Sequence, residues 1–146
     1  METGERKMKN TYYYQAKLSG RYGKNGKIRD AVVDGDTVDM LCDLGFDVRM
    51  QLRLRLAKIN TPESRTRNKA EKILGLKAKA FLKDVLESAD RIEFESHDRG
   101  KYGRVLATLF VVGGVAGNGT LSINVNELLV KKKHARRYDG GKREPW

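Results

Sequence analysis

The chain has 146 residues, enough for one domain whose core needs neither a disulfide nor a metal to hold it. Lys and Arg number 30 against 19 Asp and Glu, a formal net charge of +11, which favours a polyanionic partner: nucleic acid first, an anionic membrane surface second. The single cysteine excludes an intrachain disulfide, and no apolar run is long enough to form a membrane-spanning helix. The opening METGERKMKN lacks the apolar stretch of a secretory signal, so a cytoplasmic location is the default expectation, with a virus-encoded protein or a processed secreted form as alternatives.

Residues 1–10 read as a flexible N-terminal extension. TYYYQAKL (11–18) reads as an aromatic-rich strand, and SGRYGKNGK (19–27), with its Asn-Gly pair, as a hairpin turn or loop. IRDAVVDGD then predicts a short strand ending in the turn Asp34-Gly35-Asp36-Thr37, followed by a strand over TVDMLC (37–42). Val38, Met40 and Cys42 share one face of that strand, so the thiol is expected to be buried and structural. Asp43-Leu44-Gly45-Phe46 reads as another tight turn.

RMQLRLRL (49–56) carries the clearest local pattern. Met50, Leu52, Leu54 and Leu56 alternate with Arg49, Gln51, Arg53 and Arg55, which predicts a half-buried strand with a basic outer face. Arg49 reads as solvated; Arg53 is open between a solvated strand face and a nucleic-acid-binding part. Pro62 ends the regular structure, and a helix is expected from about Asn68 to Ala89, with Asn68 and Glu71 at capping-box spacing. Its core stripe is read as Ala70, Ile73, Leu74, Ala78, Phe81, Val85 and Ala89. RIEFE (91–95) alternates again, burying Ile92 and Phe94, and RVLATLFVV (104–112) is apolar on both faces, as in a small barrel. GGVAGNG (113–119) reads as a glycine-rich turn without the Lys-Ser or Lys-Thr of a phosphate-binding loop. A short helix is expected from about Asn124 to Val130, and the chain closes on the basic tail KKKHARRYDGGKREPW. Such a tail is usually solvated, but Tyr138 and Trp146 add aromatics that can stack on bases.

This order implies an α+β fold: a five-stranded OB-type β-barrel with a long helix packed on it and a short C-terminal helix. The domain is expected over residues 11–138, as a monomer, with 139–146 as a basic C-terminal tail. Small barrels of this type commonly bind oligonucleotides, but fold alone does not establish function.

No Gly-x-Ser-x-Gly motif is present, and two histidines and one cysteine do not compose a zinc site. The chain offers oxygen ligands, which suit calcium or magnesium, and arginines, whose fork matches two phosphate oxygens. Asp34 and Asp36 around Gly35 read either as a favoured hairpin turn or as a cation site. RLAKINTPES (55–64) follows at the end of the basic strand, and KYGR (101–104) leads into the last barrel strand.

In that order, DGDT, RLAKINTPE and KYGR resemble the staphylococcal nuclease-like (thermonuclease) family, and the resemblance extends through the long helix into VNELLV and RYDGGKREPW. It implies a calcium-dependent phosphodiesterase acting on DNA, and on RNA, with low sequence specificity and leaving 3′-phosphate ends. Asp36 falls where the family has a direct calcium ligand, with Asp34 behind it. Asn60 falls where a second ligand carboxylate is common, and Thr61 would offer its backbone carbonyl. Glu63 matches the carboxylate held near the attacking water, and Arg55 and Arg104 match the two phosphate-gripping arginines. Lys101 and Tyr102 resemble residues that contact the phosphate of a bound nucleotide, and Arg53 and Tyr138 are further candidates for nucleic-acid contact. Asn60 is the main departure: its amide oxygen can ligate calcium but removes one negative charge, so weaker metal affinity with retained activity is expected. The same residue motivates an alternative, a non-catalytic OB-type nucleic-acid-binding module. An assembly protein docking acidic partners through its tail would explain the charge but none of the three motifs.

Overall fold

The computed structural model describes residues 12–115 and 119–146, apart from the side chains of Lys101, Val115 and Thr120. The expected N-terminal extension therefore lies outside the described residues, as do Ala116–Asn118 of the predicted glycine-rich turn.

Five strands close the ring that the alternation predicted. They are β1 (Tyr12–Leu18), β3 (Thr37–Asp43), β4 (Arg49–Leu56), β6 (Arg91–Arg99) and β7 (Val105–Val115). Strand β1 pairs antiparallel with both β3 and β6, β3 with β4, and β6 with β7; β4 and β7 run parallel and complete the circuit. Closure removes exposed edges and sends alternate side chains inward. Val38, Met40 and Cys42 are fully buried, and so are Leu54, Leu56, Phe94 and Leu109. Burial also pushes the Cys42 thiol up to about 11, which suits an inert core thiol.

Four short strands flank the ring. β2 (Val32–Asp34) pairs with β3, β8 (Gly119–Asn124) pairs with β7, and β5 (Ile59–Asn60) pairs with β9 (Arg136–Arg137). β8 is a correction to the sequence reading. Gly113 and Gly114 belong to β7 rather than to a turn, because β8 supplies their hydrogen-bond partners. A second correction concerns β4, whose first half overhangs the ring. It meets β7 only from Leu54 onward, so Met50 stays 46% exposed instead of entering the core.

The long helix α1 spans Lys69–Glu87, with the Asn68 side chain accepting from the Glu71 N–H at 3.1 Å as its cap. The stripe read from the sequence holds at Ala78, which is buried, and at Phe81, Val85 and Ala89, which pack against the core, and fails in the first turns. Gly75, Ala78, Leu82 and Leu86 face the barrel, whereas Ala70, Ile73 and Leu74 are exposed. The docked face begins at a glycine because the loop before the helix crosses there at backbone distance, as described below. Helix α2 (Val125–Lys131) is capped in the same way by Asn124, whose Oδ1 accepts from the Glu127 N–H at 3.1 Å. Behind it, buried Asn126 makes three hydrogen bonds at 3.1 Å, accepting from Leu109 N–H and donating to the carbonyls of Ala57 and Ala107. That side chain ties α2, β7 and the turn between β4 and β5 together. Among the described residues no helix is long and apolar enough to cross a membrane.

Candidate active site

Thr37 pairs with Arg55 across β3 and β4, so the DGDT turn and the end of the basic strand meet by sheet register alone. The turn then packs on α1. A β-carbon at Gly35 would lie 2.7 Å from Ala78 Cβ and 3.1 Å from Thr61 Cγ2. Glycine is needed here for close approach rather than for an unusual backbone angle.

Asp36 is buried and richly bonded. Its Oδ1 accepts from the Thr37 hydroxyl at 2.9 Å, its Oδ2 accepts from the Thr61 N–H at 3.1 Å, and Arg55 Nη2 lies 3.4 Å from the same oxygen. Asp34 holds the other end of the Thr61–Ser64 loop, accepting from the Ser64 N–H at 3.3 Å and from the Ser64 hydroxyl. Glu71, in the first turn of α1, accepts from the Glu63 N–H at 3.3 Å. The capping box is therefore half made: the Asn68 N–H turns to Thr66 Oγ1, while the acid at the third helical position holds the Glu63 backbone.

Arg55 is clamped by its own chain. Nη1 donates to the Leu56 carbonyl at 2.7 Å and Nη2 to that of Ile59 at 2.9 Å. Burial lowers its pKa from the ordinary value, opposed by the Asp36 carboxylate and reinforced by the nearby charges of Arg104 and Arg143. Such a guanidinium is pre-organised and has little freedom left to lose on gripping an anion.

A cavity of about 520 Å³ brings these groups together. Asp34, Asp36, Arg55, Thr61, Glu63, Arg104 and Tyr138 line it. Seven of the sequence-predicted residues thus share one space. Asn60 sits beside it, buried, in the short β5–β9 pairing. Tyr138 is held by its N–H to the Lys58 carbonyl at 2.9 Å and by its hydroxyl to the Gly141 carbonyl at 2.7 Å.

Two candidates lie elsewhere. Arg53 is not in the cavity: its Nε and Nη2 grip the buried Asp39 carboxylate at 2.8 and 3.0 Å. Tyr102 is 91% exposed at a positive φ of 63°, with the Arg104 guanidinium 5.6 Å from its ring centroid. The side chain of Lys101, in the same turn, is outside the described residues.

Sequence reasoning missed Arg143. Its Nη1 donates to Glu63 Oε1 at 2.8 Å, and its Nη2 donates to Asn60 Oδ1 at 2.6 Å and, more loosely, to the Thr61 carbonyl at 3.4 Å. The one signal for it was the basic, aromatic character of RYDGGKREPW, which does not say where the tail folds.

The oxygens are tested for a hard cation by their own arrangement. One nitrogen of Arg143 reaches both Asn60 Oδ1 and the Thr61 carbonyl, so a single positive centre serves both. The Asp36 carboxylate is hydrogen-bonded to the same Thr61 backbone, and Thr61 Oγ1 is buried without a hydrogen-bond partner. An all-oxygen set of this kind fits a divalent hard cation. Among the described residues no group of three or more His, Cys, Asp or Glu side chains is arranged to hold a metal, so the set depends on an amide and a backbone carbonyl beside one carboxylate.

Comparison with known proteins identifies the family. Residues 53–144 match the family described as staphylococcal nuclease homologue. An uncharacterized protein of Bacillus anthracis is 32% identical over 121 residues, covering 81% of this chain and 49% of the relative. Protein ParB of Escherichia coli is 30% identical over 107 residues, covering 73% of this chain and 54% of the relative. The chain thus spans about half the length of the curated relatives it matches. With the barrel and the three motifs of one cavity in place, the chain belongs to the staphylococcal nuclease homologue family, a family of nuclease and nucleic-acid-binding domains.

Proposed function

We propose that the protein is a calcium-dependent phosphodiesterase that hydrolyses DNA, and RNA, with little sequence preference. The observation that carries this reading is the meeting of a carboxylate, an oxygen-rich loop and two arginines around one cavity. A phosphodiester repels hydroxide because both are anionic, and each of these groups counters part of that barrier. Asp36, Asn60 Oδ1 and the Thr61 carbonyl would hold the cation. When bound, it neutralises the phosphate and readies a water for attack.

The chain's own residues supply the rest. Arg55, fixed by two carbonyls, and Arg104 grip the non-bridging oxygens and favour the transition state, where charge on them changes. Glu63 positions the attacking water and takes its proton. By analogy with the family, the 5′ oxygen leaves and 3′-phosphate ends result. Tyr138, with Lys101 and Tyr102, lies along the nucleotide, while Arg53, occupied by Asp39, adds only charge to its sheet face. Binding to the phosphate backbone weakens steeply as salt rises.

The test is digestion of plasmid and single-stranded DNA by folded protein, with calcium and with chelator. Calcium-dependent cleavage that falls about 10²–10³-fold in Arg104→Ala supports the reading. Absence of calcium-dependent cleavage sinks it.

A second reading, a nucleic-acid binder without cleavage, draws support from the neutral Asn60 and from Arg143 lying on Glu63. Asn60→Asp separates the two: a large gain from near-zero activity favours the binder, a modest gain the enzyme.

A further inference from the structure

The last residues of the chain form a strap that closes on itself and returns to the site. β9 lays Arg136 beside Asn60, and Tyr138 follows on the Lys58 carbonyl. The strap then turns at Gly140, whose φ is 94°, with the Asp139 carboxylate accepting from the Gly141 N–H at 2.9 Å. Its far end comes back to Arg136, which donates to the Pro145 carbonyl at 2.8 Å and stacks on the Trp146 ring at 4.0 Å from its centroid. Between these anchors Arg143 reaches inward, and it binds Asn60, Thr61 and Glu63 together.

We propose that Arg143 is a resident cation of this site, occupying the oxygens of Asn60, Thr61 and Glu63 in competition with a divalent ion. The inference rests on the metal reading above and adds to it a stated competitor within the chain. Its physical basis is that a guanidinium and a divalent ion need the same lone pairs. Asn60 Oδ1, at 2.6 Å from Nη2, cannot face both at full strength. The positive charges add to this, because Arg55 and Arg143 flank a set with few carboxylates.

The consequence is a site whose cation affinity is held down by its own strap. Arg143 keeps Glu63 and Asn60 oriented while no ion is present, and ion entry requires it to leave. The device is reversible because both ends of the strap stay anchored through Arg136 and Tyr138 while one side chain swings.

The experiment is calorimetric titration of calcium alone, without nucleic acid, into the full chain and into Arg143→Ala. Removing the competing charge is expected to tighten calcium binding roughly tenfold or more. A second measurement on the unaltered protein follows the Arg143 Nε–H resonance by NMR during the same titration, so that the inference does not hang on the variant's folding. That resonance is expected to shift and to exchange faster with water as calcium saturates. Calcium binding no tighter in Arg143→Ala, or an Arg143 resonance unmoved at saturation, overturns the competition and leaves the metal reading standing. Failure of both proteins to bind calcium, with all site resonances unmoved, removes the metal reading and the inference with it.

Discussion

The backbone of Gly75 in α1 lies against the carbonyl of Glu63 so closely that a β-carbon there would fall 2.4 Å from that oxygen. The whole Thr61–Ser64 loop is therefore seated by a missing side chain. Gly75→Ala is expected to push the loop off the helix, costing roughly 1–3 kcal/mol of stability. Cleavage should fall at least about tenfold, since small displacements of a positioned group are costly in rate. Urea unfolding and digestion rates on the same preparation check both. Leu76→Ala, at an exposed neighbour, should leave both close to wild type.

Arg55 is expected to tolerate no other cation. Arg55→Lys keeps one charge but loses the fork that engages the Leu56 and Ile59 carbonyls. Cleavage should fall by about 10²–10³-fold. Single-turnover kinetics at saturating substrate would expose the loss in the chemical step; a rate within a few fold of wild type would refute the clamped-arginine account.

Asn126 anchors a part of the site it never touches. Asn126→Leu conserves approximate volume and leaves the Leu109 N–H and the Ala57 carbonyl without this partner inside the core. The expected destabilisation is roughly 2–4 kcal/mol, read as a shift in the urea midpoint. A loss below half a kilocalorie would mean that these backbone groups find other partners.

His134 should give the fold a mild pH dependence. It stacks on Phe81, with ring centroids 4.6 Å apart, and burial followed by the charge of Lys77 lowers its pKa from the ordinary 6.5. The unfolded chain therefore binds more protons than the folded one just below that value. Stability is full above about pH 6.5 and declines as pH falls toward the folded pKa. His134→Gln is expected to flatten this slope between neutral and mildly acid pH in thermal melts. An unchanged slope would assign the effect to other groups.

The alternation in RMQLRLRL and the caps at Asn68 and Asn124 were legible because each is local. Alternation, capping and turn chemistry involve residues within a few positions of one another, so their pattern is written along the chain. The strands of the ring followed from those signals, whereas the grouping of Asp36, Arg55 and Arg104 was implied only by the resemblance to the nuclease family.

Only the tertiary structure decided which face of α1 docks, whether Gly113 and Gly114 turn or extend, and where Arg143 goes. Ile73 and Leu74 have the hydrophobicity of core residues, but the crossing loop at Glu63 admits nothing larger than Gly75, and steric fit overrode periodicity. The two glycines extend because β8 arrives to pair with them. Arg143 stands 80 positions from Glu63 in the chain, and no local pattern spans that interval. A strap closed by Arg136 and Trp146 brings them together, and such closure is a property of the folded chain as a whole.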